Sequence, residues 1–219
     1  LLAWVQELGN DYEEAAESVN PQARLNAIDL AHHTLEIAEQ TSTLSPYVGR
    51  LQKLVADIEN RAEPLVVQRE CDALAEVLLR EHQIPQGPSV LPDLRRGEKV
   101  FATACAACHG LDGRAHTPPA TWQRPPPTDF TRSDEVNPLS PFRVFTAVTF
   151  GVPATAMPSF DALDPAERWA VAFYIFTLRQ PRCDTPMRLP SPEALGAATD
   201  NALTAEYGPF KLSCLRRYR

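Results

Sequence analysis

The chain has 219 residues, enough for one large domain or two small ones that each bury a modest core. No apolar run is long enough to cross a bilayer, and no basic patch suited to nucleic acid stands out, so neither a membrane-spanning nor a nucleic-acid-binding role is expected. The net charge of -7 is uneven: residues 1–93 carry 16 acidic and 6 basic side chains, and residues 94–219 carry 12 and 15. The two parts should therefore present surfaces of opposite sign. A content of 21 prolines against 9 glycines predicts many short elements with stiff connections. The missing initiator Met and signal-peptide pattern suggest a mature or excised segment.

The first 83 residues read as a small bundle of amphipathic helices. Trp4, Leu8, Tyr12 and Ala15 fall on one helical stripe. Asn20-Pro21 is a cap followed by proline at the first helical position, and Leu25, Ile28, Leu35 and Ala38 continue the period. Ser45-Pro46 repeats the start signal ahead of Val48, Leu51, Val55, Ile58 and Ala62. Pro64 restarts a helix carrying Val67, Cys71, Leu74 and Leu78. Four such helices with short links predict a bundle.

Residues 84–93 hold three prolines and a glycine and read as a stiff linker. A second domain is expected over 94–181. It opens with a short helix, "LRRGEKVFATAC", which is followed by a proline-rich loop. "SPFRVFTAVTFG" has Ser140 as cap, Pro141 at the first position and Gly151 as stop. "DPAERWAVAFYIFTL" opens on a capping box from Asp164 to Glu167. Residues 182–219 form an extension with one expected helix near "SPEALGAATDNALTAEY" and a loose cationic tail of Lys211, Arg216, Arg217 and Arg219. No strand alternation is evident, so the fold class is all-α.

The chemistry sits in "FATACAACHG". Cys105 and Cys108 are three apart and His109 follows directly. On a helical turn both thiols lie on one side, within reach of the two vinyl groups of one haem, and His109 falls under the iron. Cys-x-x-Cys-His is the attachment pattern of c-type haem. A thioredoxin-like dithiol would sit after a strand, and the histidine would have no role in it. A tetrahedral zinc site needs a second ligand pair, which neither Cys183 nor His116 completes. Met157, in the proline-flanked loop "GVPATAMPSF", is the candidate distal ligand; core packing is its bland alternative. Met187 is a poorer candidate, and His116 reads as a loop residue. Trp122, Pro126, Phe130, Phe145, Phe150 and Phe160 are candidate pocket walls.

Residues 94–180 resemble a class I cytochrome c through "GEKVF", the Cys-x-x-Cys-His motif, the "AMP" loop and the final "AFYIFTL" helix, in that order. The resemblance implies one covalently attached haem c, and a crossing of first and last helices at which Gly97 and Phe101 meet Tyr174. The wider layout, with "DYEEA", "PPPTDFT", "SPFRVFTAVTFG" and "ERWAVAFYIFTL", resembles the extracytoplasmic part of cytochrome c–iron permease fusion proteins. The permease helices and the Arg-Glu-x-x-Glu transport motif are not in this sequence; Arg69-Glu70 begins that motif and Ala73 ends the match. The resemblance thus implies a periplasmic or otherwise extracytoplasmic redox role, either free or tethered to the inner membrane. Its partner would be a redox protein or an iron ion beside a membrane iron permease.

With both axial positions filled, the expected function is one-electron transfer rather than catalysis. The alternatives are a cytochrome subunit of a haem oxidoreductase or peroxidase, and an iron-binding module. For the last, His33 and Glu36 stand at i and i+3, with Asp29 and Glu39 one turn to either side. They form a speculative second iron site whose bland reading is a solvated helix face. Among the remaining cysteines, Cys183–Cys214 is the preferred disulfide because it would tie down the extension. Cys71 reads as a buried free thiol, and other pairings stay open.

Overall fold

The computed structural model describes residues 1–17, 21–152, 155–183 and 185–218. The fold is all-α, with no strand among the described residues. Two units gather, Leu1–Ile84 and Pro85–Arg219.

In the first unit, helices α1 (Leu2–Glu17), α2 (Pro21–Gln40), α3 (Val48–Glu59) and α4 (Pro64–Glu81) form a bundle. α1 packs on α2 and α4, and α3 closes the ring against the other faces of α2 and α4. The interior is supplied by Val5, Leu8 and Tyr12 of α1, Leu51, Val55 and Ile58 of α3, and Val67, Cys71, Leu74 and Leu78 of α4. Helical spacing places each set on one stripe, so burying it removes a continuous apolar surface from water. The Tyr12 hydroxyl is also satisfied there, donating to the Ala62 carbonyl at 2.7 Å.

Two sequence expectations shift in this unit. Leu25 is 51% exposed, because α2 turns Ala27, Leu30, Ala31, Thr34 and Ala38 inward. Small residues at three of those positions let neighbouring helices approach, and Leu30 fills the remaining space. Ser45-Pro46 does not start α3. Both lie in a 3-10 turn, Ser42–Tyr47, and the Ser45 carbonyl accepts from the Val48 amide as that turn runs into α3. The Asn20 cap falls outside the described residues.

The second unit contains α5 (Leu94–Val100), a π-helical turn (Phe101–Cys105), α6 (Ala106–His109), α7 (Ser133–Val136), α8 (Pro141–Phe150) and α9 (Pro165–Tyr174). The side chains of Asp93, Ser140 and Asp164 accept the amides of Arg95, Arg143 and Glu167, capping α5, α8 and α9. α5 crosses α9 at Gly97, where a Cβ would stand 2.2 Å from the Ala170 carbonyl oxygen. Only glycine permits that approach. One turn on, Phe101 meets Tyr174 with ring centroids 5.6 Å apart and Phe130 at 6.1 Å. Around them Val100, Val136, Val144, Val148, Val171 and Phe176 complete a core.

The extension holds three helices rather than one: α10 (Pro192–Ala197), α11 (Asp200–Tyr207) and α12 (Pro209–Arg216). Ala198 is extended and Thr199 caps afresh, which separates α10 from α11. Gly208, at φ +85°, then turns the chain so that Pro209 starts α12. Leu195, Leu203, Leu212 and Leu215 bury against Phe173 of α9. The 85–93 stretch also packs here, since a Cβ on Gly87 would lie 2.5 Å from the Glu193 Cα. Cys183 and Cys214 are joined, with Cα atoms 5.0 Å apart.

The described part of the cationic tail is not loose; Arg219 falls outside the described residues. Arg216 is 2% exposed. Its Nε donates to Asp200 at 2.6 Å, its terminal nitrogens donate to the Leu195 and Ala198 carbonyls, and its plane rests 4.5 Å from the Phe176 ring centroid. Arg179 pairs with the other oxygen of Asp200. Arg217 donates to the Thr177 and Gln180 carbonyls just beyond α9, and the Thr177 carbonyl also receives the Gln180 amide at 3.2 Å. Lys211 alone of the described cluster is exposed.

Candidate haem site

Cys105 ends the π-helical turn and Cys108 and His109 lie in the single turn of α6. Both thiols are free and half-buried. Burial pushes the Cys105 thiol up to about 11, so it is protonated at neutral pH. Gln123 Nε2 approaches Cys108 Sγ at 3.5 Å. α6 stops at Gly110, whose φ of +74° allows the sharp exit.

The loop after α6 folds back beneath His109. Ala115 donates its amide to the His109 carbonyl at 2.8 Å, and Thr117 Oγ1 donates to the Cys108 carbonyl at 2.9 Å. The Phe130 amide then bonds the Gly113 carbonyl at 2.8 Å. This return brings the Thr128 carbonyl within 3.0 Å of His109 Nδ1. It also stacks Phe130 on the imidazole, with centroids 4.6 Å apart and planes at 21°. A carbonyl oxygen can only accept, so Nδ1 carries the proton, and in the neutral ring Nε2 keeps its lone pair. Burial lowers the His109 pKa against the opposing pull of the Thr128 carbonyl, which favours the neutral ring.

Met157 is half-buried in the loop between α8 and α9 and packs on the same apolar core as Cys105 and Ala106. Its amide accepts support from Thr155 by donating to Oγ1 at 3.1 Å, and its carbonyl receives the Val152 amide at 3.2 Å. Gly151 makes this close turn possible: its φ is +74°, and a Cβ there would lie 2.9 Å from the Met157 carbonyl oxygen. Met187 packs on the separate cluster around Phe173 and Leu195. His116 is exposed on the loop after α6.

The wall candidates divide. Phe130 is buried against His109, and Phe160 packs on the core. Phe145 stacks on Trp169 at 4.0 Å. Trp122 and Phe150 are 68% and 58% exposed, and Pro126 is exposed too. In the bundle, His33 is exposed and tilts against Trp4 at 5.0 Å, while Glu36 receives a hydrogen bond from Gln40. Among the described residues, no three His, Cys, Asp or Glu side chains gather as a metal-binding group.

A family model described as cytochrome C oxidase, cbb3-type, subunit III matches residues 92–175. The match supports a c-type cytochrome domain over this segment. No curated protein matches the chain. Among solved structures, a chain of the reducing HAO-like protein complex of Kuenenia stuttgartiensis is 28% identical, with a TM-score of 0.40; the match covers 52% of this chain and 60% of that one. Such a domain implies haem c. The residues present fit that group: two unpaired thiols on one turn, beside an imidazole whose Nδ1 is engaged and whose Nε2 has no hydrogen bond among the described residues.

The roles of Thr128 and Phe130 in orienting His109 escape a reading of the sequence. The Thr128 contribution is a main-chain carbonyl, which no side-chain pattern encodes. Pro125, Pro126 and Pro127 just before it are the one available signal of a stiff return.

Proposed function

We propose that this chain is a monohaem electron carrier, with haem c tethered by Cys105 and Cys108, His109 as proximal ligand and Met157 as distal ligand. The observation that carries the reading is the 3.0 Å contact between His109 Nδ1 and the Thr128 carbonyl. It sets the tautomer and leaves Nε2 as the donor, and Phe130 restricts ring rotation. When bound, the haem iron supplies a reversible one-electron couple. Met157 would contribute a soft thioether, which favours the reduced state more than a second nitrogen ligand. With His109 and Met157 both holding the iron, no position on it would remain for a substrate, which favours transfer of an electron over catalysis.

An extracytoplasmic location goes with covalent haem assembly and with a persistent Cys183–Cys214 bond. Service to a membrane iron permease is supported by sequence likeness alone. The reading is tested by substituting Met157→Ala in the haem-loaded protein. The expected result is loss of the thioether-to-ferric-iron absorption band, a lower potential and new binding of carbon monoxide to the reduced form. A wild-type haem that already binds carbon monoxide would overturn the carrier reading and favour an oxidoreductase or peroxidase subunit.

A further inference from the structure

The bundle brings together a second set of donor atoms. Tyr47 ends the 3-10 turn before α3, Glu81 is the last residue of α4, and His82 is its C-terminal cap. The Tyr47 hydroxyl donates to Glu81 Oε2 at 2.6 Å and lies 3.0 Å from His82 Nε2. The two rings sit 5.8 Å apart. A phenol oxygen, a carboxylate oxygen and an imidazole nitrogen thus converge from two separate stretches of chain.

These are hydrogen-bond spacings that a shared cation could also occupy. Adjacent ligands of an octahedral cation with bonds of about 2.1 Å stand about 3 Å apart. Tyr47 is buried whereas Glu81 and His82 are exposed, so the group has a fixed inner donor and an open outer side for water. The donors lie at the C-terminus of the 18-residue α4, the negative end of its dipole. The acidic excess of residues 1–93 also draws cations toward the bundle.

The donor types narrow the choice of ion. An imidazole argues against calcium and magnesium, which prefer oxygen throughout, and the lack of thiolate argues against copper(I). Iron and zinc both accept imidazole and carboxylate together; the phenolate, an established iron ligand, favours the ferric ion. We propose that Tyr47, Glu81 and His82 form a ferric-ion site, binding as phenolate, carboxylate and neutral imidazole. Binding displaces the phenol proton to solvent and changes no oxidation state.

The site is independent of the haem reading and is tested in the full haem-loaded chain. Ferric nitrilotriacetate is added, the excess removed by gel filtration, and non-haem iron counted by elemental analysis. High-spin ferric resonance and tyrosinate vibrations report the ligands. One retained equivalent with tyrosinate modes is expected. Tyr47→Phe should abolish those modes and weaken binding by at least about tenfold, the size of loss that even an outer-shell partner produces. The paired exposed substitutions Glu81→Gln and His82→Gln should weaken it likewise, and they decide the matter if Tyr47→Phe does not fold. His33→Ala should change nothing. Failure to retain iron, retention without tyrosinate modes as an adventitious ion only, or equal retention by the variants would overturn the proposal. Haem spectra and redox titration of the same samples separate the two readings. Reversible haem without retained iron defeats only the ferric site, and retained iron without a reversible haem defeats only the carrier.

Discussion

The bundle and the cytochrome-bearing unit both hold short helices together, but by different means. The bundle relies on aliphatic stripes, and the ion pairs described in it lie at the surface: His32 with Glu59, Arg50 with Glu70, Lys53 with Asp57. The second unit encloses Asp200 between Arg216 and Arg179 and presses backbone on backbone at Gly97 and Gly87. Exposed pairs gain little because water screens them and both side chains lose freedom. A buried charge stripped of its partner cannot recover its hydration. Stability in the bundle is thus spread over many apolar contacts, whereas the second unit adds to its apolar cores a few residues on which much depends.

The sharpest way to break this contrast is Arg216→Ala. It leaves Asp200 buried with only Arg179 and frees the Leu195 and Ala198 carbonyls. We expect a loss of about 3–5 kcal/mol, read from denaturant unfolding followed at the haem. Arg50→Ala, at a 3.9 Å surface pair, should stay within about 0.5 kcal/mol. Similar costs for the two would erase the distinction.

Leu74→Ala addresses the other side. Leu74 is 1% exposed in the bundle interior, and its truncation should cost about 2–5 kcal/mol through lost transfer energy and the cavity left behind. Helical circular dichroism should report that loss while the midpoint followed at the haem holds. Next in size is the pair Cys183→Ala and Cys214→Ala, which opens a loop of sequence separation 31. A loss of about 2–4 kcal/mol at the haem is expected. Alkylation and mass mapping of the unreduced wild type should find Cys71 free of that pair. An alkylated Cys214 would remove the tether from the account.

What the sequence reveals follows the range of the interaction. Helical periodicity and the Ser140 and Asp164 caps are local, and the matching elements form where the pattern lies. The Cys-x-x-Cys-His run is local as well. Leu25 misleads because periodicity alone cannot say which edge of an apolar stripe turns inward when neighbours are small. Arg216 misleads more strongly, since a charge near the end of a basic run reads as solvated until Asp200 is folded beneath it. Tyr47 and His82 are 35 residues apart, and only the packed bundle joins them. The Thr128 carbonyl is invisible in principle, being backbone. The chemical letters of the haem motif are therefore plain in the chain, while the groups that orient them are supplied by tertiary structure.

Gly97→Ala is the smallest change and bears most directly on function. One methyl group would stand 2.2 Å from the Ala170 carbonyl oxygen and 2.7 Å from the Tyr174 Cβ. Neither neighbour can swing away: the first is helix backbone, and the second is the root of a side chain packed on Phe101. The helices must separate, at a cost of about 1–3 kcal/mol. Because α5 runs through Phe101 directly into Cys105, the displacement would travel along the same segment that carries the proposed haem cysteines. We therefore expect a modest fall in the unfolding midpoint and, on the proposed ligation, a shifted potential and a weaker Met157-to-iron band. Gly49→Ala in the bundle meets nothing within 4 Å and should leave all three unchanged. If Gly97→Ala lowers stability but leaves potential and band intact, the α5–α9 crossing is a structural contact only, and the haem geometry is held by the Thr128 and Phe130 side of the site.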